Sequence, residues 1–243
     1  MSGRDTALIK VILWDVDNTL LDFHAAEYAA VKALFREMEL GECTDEMVVR
    51  YSAINDSFWK RLERGELTRP EVLTGRFRQF FSESGVDPEK AVPFNEKYQL
   101  RLGDTIVFRD DSLNIVKSLK NRVKQYAVSN GTIIAQTKKL GLSGLGELMD
   151  GIFLSEELGV EKPNKAFFDS VLKDIRSDAD DPAVRKLLRS EVMIVGDSLT
   201  SDIRGGMNAG ILTCWYNPKH QPVPDGYSID WIIADLHEIY GLL

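Results

Sequence analysis

Lys10-Val11-Ile12-Leu13-Trp14-Asp15-Val16-Asp17-Asn18-Thr19-Leu20 decides how the rest of the chain is read. An apolar run suited to a buried strand stops abruptly at two carboxylates, with a threonine two residues further on. Strand residues alternate faces, so Asp15 and Asp17 point the same way if the strand continues. Two like charges that close are costly unless a cation lies between them or one holds a proton. A divalent cation meets that demand, and so does a nucleophile with an acid/base partner. A plain strand-end turn whose aspartates cap the next helix is the competing explanation.

Composition narrows the classes. At 243 residues the chain suits one large domain, or a core with a second domain inserted. The net charge of −8 argues against nucleic acid as a partner, because phosphate backbones need a basic face. No run of eighteen apolar residues occurs, and Met1-Ser2-Gly3-Arg4-Asp5 does not open a signal peptide, so neither membrane nor export is expected and the cytoplasm is the default. Cys43 and Cys214 lack Cys-x-x-Cys spacing and read as free, buried thiols. His24, His220 and His237 have no metal-ligand spacing, which leaves any catalysis to carboxylates.

Downstream of the first strand, the periodicity is helical from Phe23 to about Gly103. Four helices are predicted: Phe23 to Leu40, Thr44 to Gly65, Thr68 to about Glu83, and Asp87 to about Leu102. Joined by short turns, they make a compact bundle. Strand and helix then alternate. Strands are predicted at 124–129, 151–154, 191–196, 212–215 and 231–233. Helices are predicted at 111–121, 133–140 (ended by Gly141), 164–175 and 200–209. Such alternation implies a doubly wound parallel α/β sheet, with residues 1–21 and 104–243 as core and 22–103 as a helical insert. The acidic stretch 177–182 reads as a solvated loop. Gly141, Gly144 and Gly146 read as helix-end turns, since they match neither a Walker loop nor a dinucleotide fingerprint.

Ligands of open parallel sheets bind at the carboxyl ends of the strands. The first predicted strand ends in Asp15-Val16-Asp17-Asn18-Thr19, and the second in Ser129-Asn130-Gly131. The third is followed by Glu161-Lys162-Pro163. The fourth ends in Gly196-Asp197-Ser198, with Asp202 five residues past Asp197. Singly, each has an ordinary explanation as a turn residue, a surface charge or a helix cap. Together, at four strand ends, turns do not account for them.

This order of motifs resembles the haloacid dehalogenase (HAD) superfamily, and the helical insert is similar to its C1-type caps. Glu161-Lys162-Pro163-Asn164-Lys165, the run from Gly196 to Ile203 and the run from Ala209 to Trp215 resemble most the branch of cytosolic pyrimidine 5′-nucleotidases. The resemblance implies a Rossmann-like core and a Mg²⁺-dependent phosphomonoesterase. Asp15 is then the nucleophile, forming an aspartyl-phosphate. Asp17 protonates the leaving oxygen and later activates water. Asp15, the backbone carbonyl of Val16 or Asp17 (the family pattern favours Asp17) and Asp197 hold the cation. Ser129, Asn130 and Lys162 bind the phosphate, Thr19 shapes the loop, and Asp202 supports the cation site or Lys162. Dehalogenases of the superfamily lack the second aspartate, so Asp17 favours phosphate-ester chemistry.

The expected substrate is a small phosphorylated metabolite, above all a nucleoside monophosphate, handled by a monomer or homodimer. Sugar-phosphate or phosphoglycolate hydrolysis and a β-phosphoglucomutase-type isomerisation share the motifs. A receiver-type phosphoacceptor shares the residue types, though not the eighty-residue insert, and a binding-only protein would have lost a motif residue. The helical insert is expected to open and close and to choose the leaving group. Phe23 or Trp59 is a candidate to stack on a base, and Arg69 or Arg76 to reach a ribose or carbonyl. The competing expectation is that the aromatics pack the insert and the arginines are solvated.

Overall fold

The computed structural model describes residues 9–178 and 181–243. Six strands form one parallel sheet: β1 (Val11–Trp14), β2 (Lys124–Ser129), β3 (Gly151–Leu154), β4 (Val192–Gly196), β5 (Leu212–Tyr216) and β6 (Trp231–Ile233). Their order is β3-β2-β1-β4-β5-β6, the doubly wound Rossmann-like arrangement. The central strands are apolar on both faces, as a sheet covered by helices on each side requires. Val11–Trp14 and Val192–Gly196 are buried at every position. The chain leaves β1 first for β2 and β3, then returns to build β4 on the other side. That reversal opens a crevice at the carboxyl ends of β1 and β4. Pairing of Trp14 with Ala127 and with Val195 brings the ends of β1, β2 and β4 level.

Two compact units result. One comprises residues 1–21, 108–133 and 143–243, and contains the sheet. The other comprises 22–107 and 134–142. In the second lie α1 (Phe23–Glu37), α2 (Asp45–Glu63), α3 (Arg69–Ser84) and, after a 3-10 turn at Pro88–Lys90, α4 (Ala91–Arg101). Asp22 and Thr44 cap the first two by accepting the backbone N–H groups of Ala25 and Met47. An aromatic cluster fills this unit, with Tyr51 stacked on Phe77 at 4.8 Å and Phe81 edge-on to Phe94 at 5.0 Å.

The sheet unit adds α5 (Ser112–Leu119). α6 (Ile133–Ser143) follows β2, and α7 (Ser155–Leu158), α8 (Lys165–Asp178), α9 (Pro182–Arg185) and α10 (Arg204–Ala209) complete the helices. Neither α7 nor α9 was foreseen, nor was the 3-10 segment Leu236–Gly241; all are too short for periodicity to register.

Several predicted boundaries move. α1 stops at Glu37 because Glu39 is left-handed (φ 52°) and the Leu40 N–H closes back onto the Phe35 carbonyl. α6 runs through Gly141, and the left-handed residue that follows it is Gly144 (φ 73°). Gly146 opens a 3-10 turn. Residues 104–107 and 134–142, expected in the core, belong to the helical unit. Ala135 packs into its apolar core, and Lys138 bonds to the Leu100 carbonyl and pairs with Asp104. Of the acidic stretch 177–182, residues 179 and 180 lie outside the described residues, as does the extreme N-terminus; its flanks are the end of α8 and the start of α9. Both cysteines are free, Cys214 buried and Cys43 partly so. Among the described residues no helix is long and apolar enough to cross a membrane.

Candidate active site

β1 ends at Trp14, so Asp15 and Asp17 do not share a face by strand pleat as expected. Asp15 extends the ladder by one bond, its N–H donating to the Val195 carbonyl at 2.9 Å. The chain then turns: the Leu20 and Leu21 N–H groups both reach back to the Val16 carbonyl, with Asn18 left-handed at φ 66°. This turn, rather than strand alternation, carries Asp17 past the end of β1.

Both oxygens of Asp15 are engaged. Lys162 Nζ donates to Oδ1 at 2.8 Å, and Thr19 Oγ1 donates to Oδ2 at 3.0 Å. The same ammonium donates to Asp202 Oδ1 at 2.7 Å and to the Val128 carbonyl, at the end of β2, at 3.0 Å. Lys162 is 1% exposed, so all three of its donors are spent inside the protein. Asp202 lies in a π-helical turn, Leu199–Ile203, where a regular α-helix was expected. The Asp202 and Ile203 N–H groups both reach the Ser198 carbonyl, and Ser198 Oγ caps the Ser201 N–H. That wide turn folds the Asp202 carboxylate back over the end of β4. Its Oδ2 accepts from the Ser198 N–H at 3.1 Å. π-Turns of this kind recur at functional sites.

Asp15, Asp197 and Asp202 each place a carboxylate oxygen within 4.8 Å of the others. Three carboxylates thus face one ammonium. Burial, followed by the charge of Asp202, lifts the Asp15 carboxyl to about 7 despite Lys162, and Asp17 adds to the rise. Desolvation and the charge of Asp15 also raise Asp197 well above the usual carboxylate range. Burial alone would lower Lys162, but Asp15 and Asp202 outweigh it and hold the ammonium charged. Excess buried negative charge and an all-oxygen donor set are what a hard divalent cation fits. Both oxygens of Asp202 accept hydrogen bonds, as do both of Asp15, and all three carboxylates offer an oxygen to such an ion.

Ser129 and Asn130 stand beside this cluster. Ser129 is buried and its Oγ accepts the Gly131 N–H at 2.9 Å. The Asn130 carboxamide grips the Lys162 backbone, donating to its carbonyl and accepting from its N–H, both at 2.9 Å. The side chain of Asn130 is thereby tied to the backbone of the lysine.

Phe23, Trp59, Arg69 and Arg76 all lie in the helical unit. Trp59 is half-buried, with the Arg69 and Arg76 guanidinium groups 5.8 and 5.9 Å from its ring. Arg76 is neither solvated nor open to a ligand. It is 1% exposed, donates to Asn55 Oδ1 at 2.6 Å and Asn95 Oδ1 at 3.1 Å, and packs against Phe77 and Tyr98. Phe23 meets the Lys139 ammonium at 4.9 Å. By sequence alone, Gly196 and Trp215 have places in motifs but no role at the site. A Cβ on Gly196 would sit 2.3 Å from the Asp202 carboxylate, and the Trp215 indole bonds to the Asp197 carbonyl at 2.9 Å. Only the β4–β5 register, which pairs Gly196 with Trp215, reveals the second contact.

This carboxylate–lysine cluster stands at the switch point of a doubly wound sheet, and the family and relatives that the chain matches make it a hydrolase of the phosphatase type. The chain belongs to the haloacid dehalogenase-like hydrolase family, which it matches over residues 9–210. It is 34% identical over 234 residues to YfnB of Bacillus subtilis (strain 168), a protein designated only as a HAD-hydrolase, covering 96% of this chain and 95% of that one. It is 31% identical over 232 residues to the pyrimidine 5′-nucleotidase YjjG of Escherichia coli (strain K12), covering 96% of each. With the pyrimidine 5′-nucleotidase PynA of Streptococcus pneumoniae (strain ATCC BAA-255 / R6) it shares 33% over 229 residues, covering 90% of this chain and 91% of that one. The crystal structure of magnesium-bound YfnB superposes with a TM-score of 0.85 at 33% identity, covering 98% of this chain and 99% of that one.

Proposed function

We propose that this protein is a Mg²⁺-dependent phosphomonoesterase that works through an aspartyl-phosphate on Asp15, with pyrimidine nucleoside 5′-monophosphates as its substrates. The observation that carries the chemistry is the setting of Asp15, a buried carboxylate oriented through both oxygens and crowded by further carboxylates. The substrate class rests on YjjG and PynA, both pyrimidine 5′-nucleotidases aligned over nearly their whole length.

Phosphate monoesters hydrolyse very slowly unaided, and a carboxylate approaching a phosphate dianion is repelled. At ~4 Å and an effective dielectric near 20, each pair of unit charges contributes about 4 kcal/mol. Asp15 and Asp197, with the Asp17 backbone carbonyl, would hold Mg²⁺. When bound, the ion neutralises that repulsion and the charge on the transferring group.

The rest falls to the chain's own side chains. Thr19 and Lys162 fix the rotamer of Asp15, so the attacking oxygen needs no reorientation. Asp17 donates a proton to the leaving ester oxygen and takes one from the water that cleaves the acyl phosphate. The Ser129 hydroxyl faces the phosphoryl oxygens as a donor, and the Lys162 ammonium, its own donors held by Asp15, Asp202 and the Val128 carbonyl, offsets their charge. Asp202 keeps the ammonium in place.

The test is phosphate release from a panel of pyrimidine and purine nucleoside monophosphates, deoxynucleotides, sugar phosphates and phosphoglycolate, with Mg²⁺ and with EDTA. Pyrimidine nucleotides are expected to lead, EDTA to stop release and added Mg²⁺ to restore it, with Asp15→Asn inert throughout. Isomerised product without free phosphate would point to a mutase, and activity in Asp15→Asn would refute the mechanism.

A further inference from the structure

Asp197 leaves β4 with the peptide groups on either side of its Cα both held. Its N–H donates to Thr19 Oγ1 at 3.0 Å, and its carbonyl accepts from Trp215 Nε1 at 2.9 Å. Thr19 also donates to Asp15 Oδ2, so the amide side of Asp197 is registered directly to Asp15. The carbonyl side is registered to β5, because Trp215 pairs with Gly196 across the sheet and is 2% exposed. β4 ends at Gly196, one residue before that carbonyl. A carbonyl at a strand end ordinarily turns to water; here it meets a donor on a rigid, fully packed ring.

We propose that Trp215 is a positioning residue of the cation site. Through its indole N–H it fixes the Asp197 backbone, and hence the direction in which the Asp197 carboxylate faces Asp15. A phenyl ring at this place would fill most of the same volume and leave the carbonyl free to rotate. Supporting hydrogen bonds of this kind govern metal affinity, and their loss typically weakens binding about tenfold to hundredfold. The proposal rests on Asp15 and Asp197 being the cation's side-chain ligands.

The test is calorimetric titration of Mg²⁺ into metal-stripped wild type, Trp215→Phe and Asp197→Asn. A fourth protein carries the sulfur isostere benzothienylalanine at position 215, which keeps the ring volume, lacks the N–H and guards against a folding defect in the phenylalanine variant. Both Trp215 replacements are expected to bind Mg²⁺ about tenfold or more weakly. Their turnover is expected to fall at limiting Mg²⁺ and recover at high Mg²⁺, with KM for the phosphate ester unchanged. Affinities within twofold of wild type for both replacements, while Asp197→Asn loses binding, would overturn the role of Trp215 alone. Wild-type affinity in Asp197→Asn would remove the metal reading, and this proposal with it.

Discussion

Lys162 Nζ donates to Asp15 Oδ1 at 2.8 Å across 147 residues of sequence. The pair is buried, and Asp202 is the lysine's second carboxylate partner at 2.7 Å. Removing the ammonium leaves two buried carboxylates without compensation. Breaking a buried pair in this way costs about 3–5 kcal/mol. Lys162→Met should lower the urea unfolding free energy of the metal-free protein by that order and abolish phosphate release. Adding Mg²⁺ should recover part of the stability and none of the activity.

Acid sensitivity of the helical unit should trace in part to Arg50 and Glu83, which join α2 to α3. Arg50 donates to the two Glu83 oxygens at 2.6 and 2.9 Å, and Gln79 adds a third bond. Arg50, then Gln79, pulls the Glu83 carboxyl down to about 2 from an ordinary 4.5. A carboxyl depressed in the folded state stabilises above its unfolded pKa, and that contribution disappears as pH falls through the folded value. Both groups are exposed to solvent, so the effect is small and salt-sensitive. Glu83→Gln should melt slightly below wild type at pH 7, and the gap should close between about pH 4.5 and 2 in pH-resolved thermal melts.

The strand ends were legible because apolar runs and their polar terminations are local. Asp15 and Asp197 follow such runs, Ser129 closes one, and Lys162 lies three residues before a helix. What sequence did not disclose is what depends on partners far along the chain. Arg76 reads as a surface cation until Asn55 and Asn95, on two other helices, supply its acceptors. Gly141 resembles a helix stop, yet helices tolerate glycine at modest cost and Gly144 takes the left-handed turn. Trp215 looks like any strand residue until the register of β5 against β4 aims its N–H. The widened turn at Leu199–Ile203 has no periodic signature at all.

Arg76 should behave as a structural cation. Its Nη groups satisfy Asn55 and Asn95, and Asn55 in turn donates to the buried Glu27 at 2.9 Å, a chain of polar groups through an otherwise apolar unit. Arg76→Met keeps much of the aliphatic volume but takes the donor from Asn55 Oδ1, while Asn95 Oδ1 keeps the Gln99 amide at 3.0 Å. The cost is about 1–3 kcal/mol for such an unsatisfied group. Chemical denaturation should show that loss. Below the unfolding transition KM should remain close to wild type, whereas a large rise in KM with unchanged stability would mean that Arg76 contacts the substrate.

Gly196→Ala should damage both stability and the site. The added Cβ would lie 2.3 Å from the Asp202 carboxylate carbon and Oδ2, closer than any real contact allows. Asp202 has little room to yield, since Lys162 holds one of its oxygens and the Ser198 N–H the other. Relief therefore requires either the π-turn to shift or the lysine bond to break. Overpacking of this kind costs about 1–3 kcal/mol, and each route disturbs Asp15 through Lys162. Thermal melts should place Gly196→Ala well below wild type, and its turnover should drop even at temperatures where it stays folded. If the variant keeps wild-type turnover, the coupling from Asp202 through Lys162 to Asp15 has no catalytic consequence.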